Sequence, residues 1–466
     1  MRKGIIMGSL LSLFILVTPS ITYASSTLST ATTVSISKQV NIHLRAFPYP
    51  YRAMLSIDSD ADHVDLRKFN IVHAFINSKA ETPLGQGLGL DVSDSFFLYD
   101  DSNLPGPIDV VGSKTVANEM TLFKGISDQP SVYAPILLDY MRHGWIDTFH
   151  SSGDFSRLPG SKQHFSRQLV VKALAWLAKH HAPAIADLTD HGNQYNVGNF
   201  GSYHSQGFYA YQQGEVPTSP YYVADLYQHE GVHFLWPDRF DSKYRRSTEI
   251  YPIRLANGSM IWGFHRFTGY VRTWRTPKGY RMDHWRLVWT PDGLWEELLP
   301  SSLQRLITRG GYAIVANHLE GNEDYTPLNS SDVEALVHLA HLQDQGKILV
   351  ARTSRLLFYN LIHQGLRYRV YKDAQNQKTV IDITKIIDPV DGDFVPTWKQ
   401  LRGVTFDVPQ PSSVSLVVDG QPVPLTAIAT FSHTIGIAWY PPDTTDWAVS
   451  LHSKAYEKLV KSMNKG

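Results

Sequence analysis

Tyr51-Arg52-Ala53-Met54-Leu55-Ser56-Ile57-Asp58-Ser59-Asp60-Ala61-Asp62-His63 joins a short apolar run to three carboxylates and a histidine. The run Ala53 to Ile57 suits a strand buried on both faces. Alternate residues of an extended chain point the same way, so Asp58, Asp60 and Asp62 share one side if the strand continues. Carboxylates packed this closely repel, and they stay ionised together only with positive charge among them. A divalent metal supplies that charge most simply. A solvated acidic turn after a core strand is the plain alternative.

Working outward, the same pattern recurs of apolar strand, polar loop and amphipathic helix. A helix over Pro135 to Gly144 precedes the strand Trp145 to Phe149, which runs into His150. Lys162 to His180 carries Phe165, Leu169, Val170, Ala173, Trp176 and Leu177 at helical spacing and leads to the strand 184–188, then Asp190 and His191. A short helix over Tyr222 to His229 precedes Val232 to Trp236. A helix over Leu303 to Gly310 feeds Tyr312 to Ala316 and then Asn317-His318. Ser331 with Glu334 forms a capping-box pattern at the head of the next helix, which stops at Gly346 before the strand Lys347 to Ala351. Alternating strands and helices predict an α/β fold with parallel strands, whose carboxyl edge is where such folds place their sites.

Two regions break the alternation. Residues 238–296 hold Arg266 and other basic residues, and six of the eleven tryptophans lie between 236 and 295. Turns at Asn257-Gly258 and Pro277-Lys278-Gly279 predict β-hairpins inserted into the α/β unit. Trp262 and Arg266 are the candidates for a substrate-gripping wall; a cross-strand aromatic ladder is the competing reading. Beyond residue 374, short β-rich runs and an Asp419-Gly420 turn predict a small C-terminal β-sandwich over 374–452, followed by a basic tail over 453–466.

The 466-residue chain is 43% hydrophobic and 18% charged with zero formal net charge, so it is globular, with no global bias toward nucleic acid. It has no cysteine and 20 histidines, so any metal is held by imidazole and carboxylate. Residues 1–24 read as a cleaved export signal, with Arg2 and Lys3 ahead of the apolar run Ile5 to Val17. That predicts a secreted or periplasmic protein with a leader over 25–50 and no membrane span after signal removal.

Three strand-end sites draw attention together: Asp58, Asp60, Asp62 and His63; His150 with Asp154; and His318 with Glu320. A metal held by donors from one segment and a carboxylate from another keeps a position open for water and substrate, as hydrolytic sites require. Their order and placement resemble the polysaccharide deacetylases, the NodB-homology carbohydrate esterases, over residues 51–370. The resemblance implies a distorted (β/α) barrel. Ser56-Ile57-Asp58-Ser59-Asp60 is similar to the family's first motif, with one residue inserted between the carboxylates, which implies Asp58 as general base and Asp60 as metal ligand. Asp62 and His63 are alternative ligands. His150-Ser151-Ser152-Gly153-Asp154 resembles the His-x3-His motif with Asp in the second place, which implies His150 and Asp154 as further ligands. Ala316-Asn317-His318 resembles the late motif and implies His318 as general acid. His191 and Asn193 occupy the position of the family's arginine-containing motif, which has no clear copy, and are assigned to the pocket. The implied reaction is removal of N-acetyl or related acyl groups from an amino-sugar polysaccharide, assisted by Zn2+ or by Co2+, Ni2+ or another divalent ion. Two rivals stand beside it: a non-catalytic polysaccharide-binding or export protein, and a glycoside hydrolase using Asp58 and Glu320 without metal.

Overall fold

A computed structural model describes residues 41–60, 64, 66–101, 120–131, 133–155, 160–190, 196–200, 209–237, 250–267, 274–276, 279–281, 293–320, 328–375, 377–442 and 444. The export signal, most of the leader, the tail and the candidates Asp62, His63, His191 and Asn193 lie outside these residues.

The strand Ala53–Ser59 is buried along its whole length. Ala53, Leu55 and Ile57 face one way, onto Val72, Phe75 and Ile76 of the helix Leu66–Asn77 and onto Leu303 and Leu336 of the helices Pro300–Arg309 and Ser330–Asp344. Met54 faces the other way, into a cluster with Leu356, Leu357 and Leu361 of the helix Thr353–Gly365. Apolar side chains at successive positions are what a strand covered on both faces requires.

Around it runs one sheet, in the order Tyr251–Arg254, Met260–Gly263, Phe234–Trp236, Asp187–Thr189, Ile146–His150, Ser93–Phe96, Ala53–Ser59 and Tyr312–Asn317, with Ile348–Val350 beside the start of Ala53–Ser59. All neighbours are parallel except Tyr251–Arg254 against Met260–Gly263. The sheet curls until the chain just past Met260–Gly263 meets its far edge. There Phe267 N donates to Ile314 O at 2.7 Å, and Ala316 N donates to Phe267 O at 2.9 Å. The architecture is therefore mixed α/β around a curled, mainly parallel sheet.

Several sequence expectations need correction. The Asn257-Gly258 hairpin forms, but its second strand belongs to the main sheet rather than to an insertion. A second hairpin, Trp274–Thr276 with Gly279–Arg281, stands outside that sheet. The helix at Ser330 is capped by Asn329, whose side chain accepts from Asp332 N, not by Ser331. An Asx cap leaves the Ser331–Glu334 box without a role because that box is already inside the helix.

The C-terminal β region begins at Leu366, ahead of the expected boundary at 374. Leu366–Lys372, Thr379–Ile386, Val414–Val418 and Gln421–Pro422 form one sheet. Thr405–Asp407, Thr434–Ile437 and Ile428–Phe431 form another, joined by His43–Leu44 from the start of the described chain. The Asp419-Gly420 turn appears as expected, with φ of 47° and 74°. Ile381, Leu416, Phe406 and Ile435 share one buried cluster with Met54 and Leu349, so no separate core marks off this region. Among the described residues no helix is long and apolar enough to cross a membrane.

Gly144 tests the local logic. It ends the helix Ala134–His143 in the left-handed conformation, φ 75°, and an added Cβ would lie 1.2 Å from Arg352 Nη1. Arg352 in turn holds Asp91 through Nε at 2.8 Å. Gly144→Ala is expected to lower unfolding free energy by at least about 1–2 kcal/mol from the left-handed backbone alone. Urea denaturation should show the midpoint falling; an unchanged midpoint would refute the packing described.

Candidate active site

The carboxyl edge of the curled sheet gathers Asp58, Asp60, His150, Arg266 and His318. Asp58 sits within the strand, opposite Ala316 on one side and Ser93 on the other. Asp60 follows the strand and is anchored by its own N–H, which donates to Asn317 O at 2.8 Å. Both side chains are almost wholly buried.

The positive charge they need is a guanidinium. Arg266 donates from Nη1 to Asp60 Oδ1 at 2.7 Å and from Nη2 to Asp60 Oδ2, a bidentate fork. Nη1 also lies 3.3 Å from Asp58 Oδ2. Beneath the fork, Trp236 presents its ring face 4.0 Å from Arg266 Cζ, a cation–π contact at a buried site. Arg266 stands one residue before Phe267, so the contact that joins the two ends of the sheet also delivers the arginine.

His150 ends its strand with Nδ1 3.2 Å from Asp60 Oδ1, 3.0 Å from Ser95 Oγ and 3.2 Å from Thr189 Oγ1. The next residue, Ser151, adopts φ 46°, a left-handed conformation uncommon for a residue other than glycine. His318 follows the strand Tyr312–Asn317 with Nε2 4.0 Å from Asp60 Oδ2, and its side chain retains 13% exposure. It is the member of this group best placed to meet a ligand.

The two aspartates are pushed in opposite directions. Burial raises Asp58, Arg266 offsets part of that, and Asp60, Asp147 and Asp94 add repulsion, leaving its pKa at about 7. Burial also disfavours charge on Asp60, but the Arg266 guanidinium and His150 overcome it and hold Asp60 well below the ordinary carboxylate range. Deeper in the sheet, Asp187 accepts a hydrogen bond from Thr148 Oγ1 at 2.8 Å. Its pKa is raised well above normal by burial and by the charges of Asp147 and Asp58.

Asp154 goes elsewhere. With Gly153 it pairs with Tyr99–Asp100 and Asn196–Val197 in a separate small sheet. Asp60, His150 and Asp154 are not among the described groups whose donor atoms all lie within 4.8 Å, and Arg266 forks onto both Asp60 oxygens. Among the described residues, the only three His, Asp or Glu side chains whose donor atoms all lie within 4.8 Å are His73, Asp94 and Glu320. Glu320 has Oε1 3.4 Å from His73 Nε2, on the side of the sheet where the helix Leu66–Asn77 packs, whereas Asp58 faces Arg266. Trp262 is a core residue whose Nε1 donates to Asp388 Oδ1 at 3.1 Å, not part of a wall around the aspartates.

The residues that reading the sequence missed are those whose role depends on distant partners: Ser95, Asp94, His73, Thr189 and Trp236. For Asp94 and Ser95 the one signal is the polar run Ser93-Asp94-Ser95 just ahead of the apolar Phe96-Phe97-Leu98. No family model matches this chain, and neither the curated proteins nor the solved structures give a match.

Arg266→Met removes the counter-charge and leaves Asp60 buried and unpaired, which is expected to cost about 3–5 kcal/mol of stability. Adding Asp60→Asn should recover a large part. Denaturation midpoints of the two single variants and the double variant measure the coupling; simple additivity would contradict the fork.

Proposed function

We propose that the chain is a hydrolase removing an acyl group from an amino-sugar polysaccharide, on a fold related to the NodB barrel. One observation carries this reading: Asp58 and Asp60 are buried side by side and unequally partnered by Arg266, with His318 at the accessible edge. Paired titratable groups whose surroundings separate their pKa values are the usual basis for acid–base assignment. The placement of the pair, with His150 and His318, at the carboxyl edge of a parallel sheet supports the same conclusion. The carbohydrate substrate class rests on the motif resemblance.

In the proposed reaction, ionised Asp58 takes a proton from a water whose oxygen attacks the acyl carbonyl carbon. The tetrahedral species collapses as the C–N bond breaks, and His318 supplies a proton to the departing nitrogen. Products are a carboxylic acid and the free amino sugar. Asp60 acts as the anchor of Arg266, and Arg266 in turn keeps Asp58 ionisable near neutrality.

Acetate release from acetylated chito-oligosaccharides tests the reading. Asp58→Asn is expected to lose about 10²–10⁴-fold in kcat/KM. The wild-type rate should rise with pH through an apparent pKa near 7, as Asp58 loses its proton. Wild-type turnover by Asp58→Asn, or sugar binding with no acyl release, would overturn the assignment.

Folding stability supplies a substrate-free check. Asp58 holds its proton to about pH 7 when folded, against about 3.9 for a free side chain. Its favourable contribution is therefore complete below about pH 4 and is lost as pH rises through 7. Asp58→Asn should flatten that part of the stability–pH curve, as followed by denaturation between pH 4 and 8.

A further inference from the structure

His73, Asp94 and Glu320 form a second polar cluster that the acid–base reading does not use. They come from three elements: the helix Leu66–Asn77, the strand Ser93–Phe96, and the turn after Tyr312–Asn317. All three side chains are completely buried. His73 Nε2 lies 3.4 Å from Glu320 Oε1 and 3.8 Å from Asp94 Oδ2.

We propose that this triad binds one divalent first-row transition ion through His73 Nε2 and one oxygen each of Asp94 and Glu320. Direct hydrogen bonds between an imidazolium and carboxylates close to about 2.7–2.9 Å. The separations here are longer. They match the spacing of ligands around a shared cation, since donors held tetrahedrally at ~2.1 Å stand about 3.4 Å apart. The charge of a buried Asp94 carboxylate is one that a divalent ion at this position offsets.

The donors are prepared for this. Asp94 Oδ1 accepts from Ser95 N at 2.7 Å, which fixes the carboxylate. Asp94 Oδ2 is buried with no hydrogen-bond partner among the described residues, and so is His73 Nε2. The His73 ring is wedged between Phe69, with centroids 4.2 Å apart, and Trp145, stacked at 5.7 Å, which sets its direction. One nitrogen and two hard oxygens, without thiolate, suit Zn2+, Mn2+, Co2+ or Ni2+. The ion would tie the helix to the sheet edge and anchor the turn that carries His318 two residues before Glu320. Its presence does not depend on what reaction, if any, Asp58 performs.

Full-length protein stripped with chelator and then dialysed against Zn2+ or Mn2+ tests the site. About one ion per chain should bind, with a rise in thermal midpoint. Asp94→Asn and Glu320→Gln should each weaken binding at least about tenfold. Asp60→Asn and His150→Gln should keep the stoichiometry near one. The proposal is overturned if neither metal binds, if Asp94→Asn binds like wild type, or if uptake is lost on changing Asp60 or His150 instead. Should the triad variants not fold, X-ray absorption of the Zn2+-loaded wild type decides: one imidazole with oxygen donors supports the triad, and two or more imidazoles refute it. Metal uptake is read apart from acyl release, so either conclusion can fail alone.

Discussion

The arrangement at the sheet edge depends on one buried guanidinium. Without Arg266, Asp58 and Asp60 would face one another inside the protein without the guanidinium that offsets their charge, an arrangement that protonation or unfolding would relieve. With it, the burial cost is shared unequally. Asp60 takes the fork and stays charged, while Asp58 receives only the outer edge of the same group, at 3.3 Å. Inequality of partnership, rather than burial itself, separates the two carboxyls chemically.

That arginine reaches the site because the sheet curls. Residues 264–267 follow Met260–Gly263, the second strand from one end of the sheet, and through Phe267 hydrogen-bond to the strand Tyr312–Asn317 at the other end. Trp236, from an intervening strand, supports the guanidinium from below. Topology and electrostatics are therefore linked: a flat sheet with the same strand order would leave Arg266 far from Asp60.

The parts of this design visible in the amino-acid order are those set by local pattern. Ala53 to Ile57 announces a strand covered on both faces, and Asp419-Gly420 a tight hairpin. His150 and His318 can be placed at strand ends because the preceding apolar runs are unambiguous. The charge pairing was not readable, because Arg266 lies 206 residues from Asp60 and no local signal links them. The four-residue interval between His150 and Asp154 suggests a shared ligand face, yet the positive φ at Ser151 turns the chain and Asp154 joins another sheet. Ser93 to Phe96 escaped notice as a strand because half its residues serve polar neighbours, Ser95 beside His150 and Asp94 beside His73.

Trp262 has a wider implication. Its indole crosses from the main sheet to Asp388, and the apolar side chains around it come from both regions. The described residues from Leu366 to Ile437 thus act as a keel, sharing their core with the main sheet. Cutting the chain after the helix Thr353–Gly365 would strip apolar cover from one face of the curled sheet and leave an oily surface in water. Any engineered fusion or truncation of this protein has to carry both parts together.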